Sequence, residues 1–270
     1  MKLLLYPNSI GGGQRLSIFR EILGFQHTTD PTEEGITHAI YYDKKNRKDY
    51  PADVFKPVTD KGIKVINSKI VSNKKGYVYD VFERVFGYTI RVDPTKHIGM
   101  CLVRSEQNAI HQGKFIECPI KDWQVDREPR ISGTGEPHYR QYVKIIDTRI
   151  SKALKRDFRV MIFNREPYML FEKHMDVKAM FHVASGEFNQ ILPCYGLASK
   201  FTPDEIEKIQ EFINAMELDF AEIDILRDNS TGLIYIIDVN DVCAGGLLNY
   251  IPRDIVVELA NKFKDTFACW

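Results

Sequence analysis

Two apolar runs near the C-terminus carry acids where buried strands normally carry none. Phe220-Ala221-Glu222-Ile223-Asp224-Ile225-Leu226 and Leu233-Ile234-Tyr235-Ile236-Ile237-Asp238-Val239-Asn240 flank the turn-forming stretch Arg227-Asp228-Asn229-Ser230-Thr231-Gly232, and so read as a β-hairpin. Side chains alternate along a strand, which puts Glu222 and Asp224 on one face and Asp238 and Asn240 on one face. Pairing Asp224 with Asp238 gathers all four on the same side, and a slip of one residue would scatter them. Three carboxylates held together repel unless something cationic neutralises them. The all-oxygen set Asp224, Asp238 and Asn240 suits Mg²⁺ better than zinc, with Glu222 a neighbour rather than a ligand. Magnesium held by few carboxylates keeps its other positions for water and substrate phosphates, so the set points to a nucleotide. The competing reading is a hairpin with a solvated, acidic face.

Upstream, the first 70 residues alternate short strands with helix. Leu3 to Tyr6, His38 to Tyr42 and Ile63 to Ile66 read as strands, and Gln14 to Leu23 as a helix with Leu16, Phe19, Ile22 and Leu23 on one face. A small parallel α/β unit is expected. Gly11-Gly12-Gly13 lacks the Lys-Ser/Thr of a phosphate loop, having Gln14-Arg15 there, and reads as a strand-to-helix turn. Tyr77 to Phe86 is a periodic helix stopped by Gly87. Met100 to Val103 and Lys114 to Cys118 read as strands, residues 121–138 as an exposed loop, and Tyr139 to Ile146 as a strand. A short basic helix is expected around 148–156, then a hairpin of Phe158 to Phe163 and Tyr168 to Phe171 across Asn164-Arg165-Glu166-Pro167. Thr202-Pro203-Asp204-Glu205 is a capping-box helix start, and an amphipathic helix runs from about Arg253 to Phe267.

Composition bounds the partners. Thirty-seven Lys plus Arg balance 37 Asp plus Glu over 270 residues, which excludes a general polyanion binder without excluding a local basic patch. The hydrophobic share of 44% fits a globular protein of one or two domains. Only Leu3 to Tyr6 follows Met1-Lys2 before Pro7, too short for a signal peptide, and no apolar run approaches a membrane span. Cys101, Cys118, Cys194, Cys243 and Cys269 are odd in number and form no CxxC, so reduced thiols and a cytoplasmic location are expected.

The hairpin resembles the last two strands of ATP-grasp enzymes such as the D-alanine–D-alanine ligases and glutathione synthetase. The resemblance implies that Asp224, Asp238 and Asn240 hold Mg²⁺ against ATP phosphates. Asp238 stands where the family usually has Glu, and Asn240-Asp241-Val242-Cys243 departs from its Asn-Pro continuation. Other pieces are similar in the family's order. Arg159, in Asp157-Phe158-Arg159-Val160, implies a contact to the transferring phosphate. Gln141-Tyr142-Val143-Lys144 resembles the strand offering backbone to adenine, which assigns Tyr142, Val143 and Lys144 to the nucleotide. Arg104 replaces the strand-borne lysine on the α and β phosphates, and the glycine-poor stretch after it, with His111, would be the phosphate-covering loop. Lys75 resembles a further nucleotide-binding lysine. The resemblance spans roughly residues 65–250.

It implies an α/β chain of the α+β ATP-grasp type: an N-terminal α/β domain over 1–68, then a nucleotide-binding domain over 69–270 with subdomains about 95–143 and 144–270 gripping nucleotide between them. The implied activity is an ATP- and Mg²⁺-dependent ligase that activates a carboxylate as an acyl phosphate for attack by an amine or other nucleophile. The alternatives are a small-molecule kinase and a non-catalytic nucleotide-binding descendant, the latter suggested by Arg104, the loop and Asp238. Expected partners are ATP and a small-molecule substrate, bound between the N-terminal unit and the loops near 121–138 and 241–249. No nucleic acid or membrane partner is expected, and a homodimer is left open.

Overall fold

The computed structural model describes residues 1–43, 50–106, 113–121, 130–131, 137–138, 140–178, 188–243 and 245–268. Strands β1 (Lys2–Pro7), β2 (Gln26–Thr28), β3 (His38–Tyr42) and β4 (Val65–Ile66) form a parallel sheet in the order β2-β1-β3-β4. Its strands are apolar without alternation because both faces are covered. Leu4, Ala39 and Tyr41 pack with Phe55 and Val58 of α2 (Ala52–Thr59), while Leu3, Leu5 and Ile40 pack with Leu16 and Phe19 of α1 (Arg15–Leu23). The expected α/β unit is therefore present. Buried Asn67, at φ 62°, fastens its far end: its backbone and side-chain N–H groups donate to Asp219 and Phe220, and its side-chain oxygen accepts from Phe220 N.

Helix α3 (Lys75–Phe86), closed by Gly87 in the left-handed region, leads into a three-stranded antiparallel sheet, β6-β5-β9. Its members are β5 (Gly99–Ser105), β6 (Gly113–Cys118) and β9 (Arg140–Lys144). The loop expected over 121–138 falls largely outside the described residues, but within it β7 (Arg130–Ile131) pairs with β8 (Pro137–His138).

No helix forms at 148–156. Backbone N–H groups of Ile150 and Ser151 donate to Leu154 O, and a ten-residue strand, β10 (Leu154–Phe163), begins there. The basic residues mislead: the informative pattern is the two-residue alternation of Asp157 and Arg159 with Phe158 and Val160, which suits a strand paired on both sides. Asn164 and Arg165, both at positive φ, turn the chain in two residues into β11 (Glu166–Asp176), tighter than the expected four.

β12 (Gln190–Tyr195) follows, then α4 (Pro203–Ala215), β13 (Phe220–Arg227), β14 (Ile234–Asn240) and α5 (Arg253–Phe267). Thr202 accepts from Glu205 N and the Glu205 side chain accepts from Thr202 N, completing the expected capping box. The large sheet is antiparallel in the order β12-β11-β10-β13-β14. One face, with Phe158, Val160, Leu170, Ile223 and Ile225, is covered by α3 and α4. On the other, Met161, Phe163, Phe171 and Phe220 pack against the N-terminal unit and α5. Among the described residues no helix is long and apolar enough to cross a membrane.

Candidate functional site

Beyond those apolar side chains, the same face of the large sheet turns polar. Arg159 lies opposite Asp224 in the β10–β13 ladder, Asp224 opposite Asp238 and Glu222 opposite Asn240 in β13–β14, and Asp157 opposite Lys173 in β10–β11. The expected hairpin register is the observed one. A bulge after Asp224 returns the ladder at Ile225 and Ile236. It puts Ile236 on the α3 face while Asp238 stays with Asp224.

These acids meet protein cations. Arg159 Nε and Nη2 donate to the two Asp224 oxygens at 2.9 and 2.7 Å, and its Nη1 reaches Glu222 at 3.3 Å. Lys173 Nζ donates to Asp224 at 2.7 Å, and Lys75 Nζ to Asp238 at 3.3 Å. Arg15, wholly buried, forms an ion pair with equally buried Glu222. A chain of alternating charge thus runs Arg15–Glu222–Arg159–Asp224–Lys173, with Lys75–Asp238 beside it.

Burial acts to raise the Asp224 pKa, but Arg159 and then Lys173 outweigh it and hold the carboxyl well below the usual carboxylate range. Burial lowers the Lys173 and Lys75 ammonium groups, partly offset by Asp224 and Asp238 respectively. It pushes Arg15 down to about 10 and Asp157 upward. Arg104 belongs to the same field: it acts on Lys75 and on the Tyr79 hydroxyl, which burial raises to about 12.

Backbone contacts fix this arrangement. Arg15 N donates to Cys243 O at 3.1 Å and Gly245 N to Gly13 O at 2.7 Å, so the loop after β14 rests on the turn into α1. Asn73 Nδ2 donates to Asp241 from the α3 side at 2.8 Å. Inside the turn, Gln14 Oε1 accepts from Gly11 N and the Tyr42 hydroxyl. Gly11 to Gly13 therefore form the expected strand-to-helix turn.

Of the sequence candidates, Lys75, Arg104, Arg159, Asp224, Asp238 and Asn240 come together. The Lys144 ammonium instead lies 5.8 Å from the Tyr235 ring centroid. Lys144 N donates to Ile90 O and Tyr142 O accepts from Val92 N, so those backbone groups are engaged within the protein, and Val143 is buried. His111 lies outside the described residues, as does most of the expected phosphate-covering loop. Cys101, Cys118, Cys194 and Cys243 are free thiols, and Cys269 is outside the described residues.

Sequence reading missed Lys173 and Arg15. Lys173 lies beyond the expected hairpin, whose four-residue turn would set His174 opposite Asp157; the two-residue turn and the irregularity between Met161 and Ile162 bring Lys173 there instead. Arg15 had no signal, because its partner lies on a strand far along the chain.

The donor set passes an elementary test for Mg²⁺. Asp224, Asp238 and Asn240 are hard oxygen ligands on paired strands, and Asp238 and Asn240 are partly open to solvent, as an ion that keeps waters requires. Among the described residues no group of three or more His, Cys, Asp or Glu side chains is placed to hold a metal ion by itself.

With this geometry in view, solved structures offer three comparisons. The chain resembles the ATP-grasp ligase PsnB complexed with a minimal precursor, Mg and ADP, at 12% identity over 98% of this chain and 96% of that one, with a TM-score of 0.59. It resembles the macrocyclase MdnC bound with precursor peptide MdnA from Microcystis aeruginosa MRC, at 13% identity over 97% and 99%, TM-score 0.53. It also resembles the D-alanine–D-alanine ligase of Bacillus anthracis, at 12% identity over 99% and 97%, TM-score 0.56. No protein-family model and no curated protein matches the sequence. The chain has the ATP-grasp fold.

Proposed function

We propose that this ATP-grasp chain is an ATP-dependent ligase that joins a carboxylate to an amine through an acyl phosphate. The observation that carries the reading is the convergence of Lys75, Arg159 and Lys173 on Asp224 and Asp238 at one end of the large sheet, with Arg104 nearby. Basic side chains interleaved with hard carboxylates suit a Mg²⁺–polyphosphate and little else of small size.

In this reading Lys75 and Arg104 bind the α and β phosphates. Arg159 and Lys173 orient the γ-phosphate and stabilise its charge as the substrate carboxylate attacks it. Asp224, Asp238 and Asn240 would hold Mg²⁺, which when bound supplies charge neutralisation across the phosphates. The acyl phosphate so formed is then attacked by the amine, releasing inorganic phosphate. Domains over 1–68 and 69–270, with subdomains about 95–143 and 144–270 closing on the nucleotide, belong to the same proposal. So do Tyr142, Val143, Lys144 and His111 as further nucleotide contacts, and the N-terminal unit as part of the acceptor site. The precursor peptides and the D-alanine ligase among the compared structures support an amino acid or a peptide side chain as the carboxylate source.

Thermal shift with Mg²⁺ and a non-hydrolysable ATP analogue is the first measurement, and stabilisation is expected. Product analysis should then find ADP and free phosphate in equal amounts once an amino-acid or peptide carboxylate is supplied. Phosphate retained on a product would make the protein a kinase instead. Asp238→Asn should lower kcat by about 10²–10³-fold, since metal-borne charge stabilisation contributes several kcal/mol.

A further inference from the structure

Cys101 of β5 and Cys118 of β6 are both buried, and their sulfurs lie 3.4 Å apart. The ladder explains the approach. Cys101 stands opposite Ile116 and Cys118 opposite Gly99, so the two thiols share one face of the small sheet as diagonal neighbours. Strand twist shortens one diagonal of a hairpin and lengthens the other, and the short contact marks this as the near one. Gly99 has no side chain and the space where its Cβ would stand is open, so nothing directly across the ladder holds Cys118 away from Cys101. The other described thiols are engaged differently: Cys194 donates to Leu192 O at 3.8 Å and Cys243 to Asn240 O at 3.3 Å.

We propose that Cys101 and Cys118 form a reversible disulfide when the chain meets a peroxide or a small-molecule disulfide. The two residues have unequal parts. Cys118 ends β6, the edge strand of its sheet, and is 5% exposed, while Cys101 on the central strand is wholly buried. Strand ends at a sheet edge open at low cost, so oxidant reaches Cys118 first. Its thiolate attacks one peroxide oxygen, the O–O bond breaks and hydroxide leaves, so two electrons pass from sulfur to peroxide and a sulfenic acid remains. The Cys101 sulfur then attacks that sulfur, its proton goes to the departing oxygen, and water leaves as the S–S bond forms. With a small-molecule disulfide the intermediate is a mixed disulfide, and two small thiols leave in turn. Burial and the neighbouring thiol push the Cys101 pKa up to about 12, which suits the second, resolving role and not the first. Bond formation closes the 3.4 Å gap to the roughly 2.0 Å of a disulfide. Leu102 and Arg104 take the opposite face of β5, so the bond stiffens the strand that carries Arg104 without touching the candidate site. The inference is independent of the activity proposed above.

Peptide mapping of the whole chain without reduction tests this, after treatment with oxidised glutathione or with stoichiometric hydrogen peroxide. The expected main product is a cross-link between the peptides of Cys101 and Cys118, with the loss of two hydrogens and full reversal by dithiothreitol. Closing a loop across 17 residues should raise the thermal midpoint by about 5–10 °C. Cys101→Ser should leave Cys118 as a sulfenic acid that dimedone traps, or as a glutathione adduct, whereas Cys118→Ser should leave Cys101 unmodified in the folded protein. Dominant linkage to Cys194, Cys243 or Cys269 overturns the proposal. So does a native chain that keeps both thiols while the urea-unfolded chain oxidises, or a wild type in which Cys118 reaches sulfinic acid with Cys101 still reduced. Should either serine variant lose its near-UV circular dichroism, the wild-type map decides the matter by itself.

Discussion

Asp224 shows how one residue can hold a site together. Replacing it with Asn leaves Arg159 and Lys173 facing an uncharged amide in a buried place, and breaking such a pair from one side costs about 3–5 kcal/mol. Urea denaturation of Asp224→Asn should report a loss of that size. The same residue sets an acid dependence. Its native pKa is held below the unfolded value by Arg159 and Lys173, so its stabilisation is fully present above about pH 4 and is lost as the pH falls further. The wild type should therefore lose stability more steeply than Asp224→Asn below that pH. At this scale the acids were legible, because an acid inside an apolar run is conspicuous. Arg159 and Lys75 were legible beside them, but Lys173 and Arg15 were not. Arg15 and Glu222 are far apart in sequence, and nothing local in either marks the other.

At the scale of elements, legibility followed the strength of periodicity. Helix α3, helix α5 and the β13–β14 hairpin were readable because apolar spacing and turn residues agree, and α4 because its capping box is a purely local device. The stretch 148–156 failed because its charges suggested a helix while its pairing partners, β11 and β13, decided otherwise. The loop after β14 depends on tertiary contact alone. A Cβ added at Gly245 would lie 2.7 Å from Gly13 O and 2.9 Å from Gln14 C, both backbone atoms that cannot swing aside. Gly245→Ala should therefore push the loop off the turn into α1, at a cost of about 1–3 kcal/mol in thermal unfolding.

For the whole molecule, the governing fact is a core shared between sequence-distant parts. Phe263 of α5 has its ring centroid 5.7 Å from Phe19 of α1, 5.0 Å from Phe220 of β13 and 5.2 Å from Phe267. Phe263→Ala should cost about 3–5 kcal/mol. Far-UV and near-UV circular dichroism should still report a single coincident transition, because the N-terminal sheet and the large sheet lose the same support. The last helix is also tied to the third strand by a 2.8 Å hydrogen bond between His38 Nε2 and Phe267 O, across 229 residues. That closure has a consequence for synthesis. A nascent chain that has completed its first sheet must keep Leu3, Leu5 and Phe19 without their final cover until α5 leaves the ribosome. Contacts of such long range form slowly, and the exposed face is vulnerable to association with other unfinished chains in the interval. A sheet made before α5 is thus among the last parts of this fold to be finished.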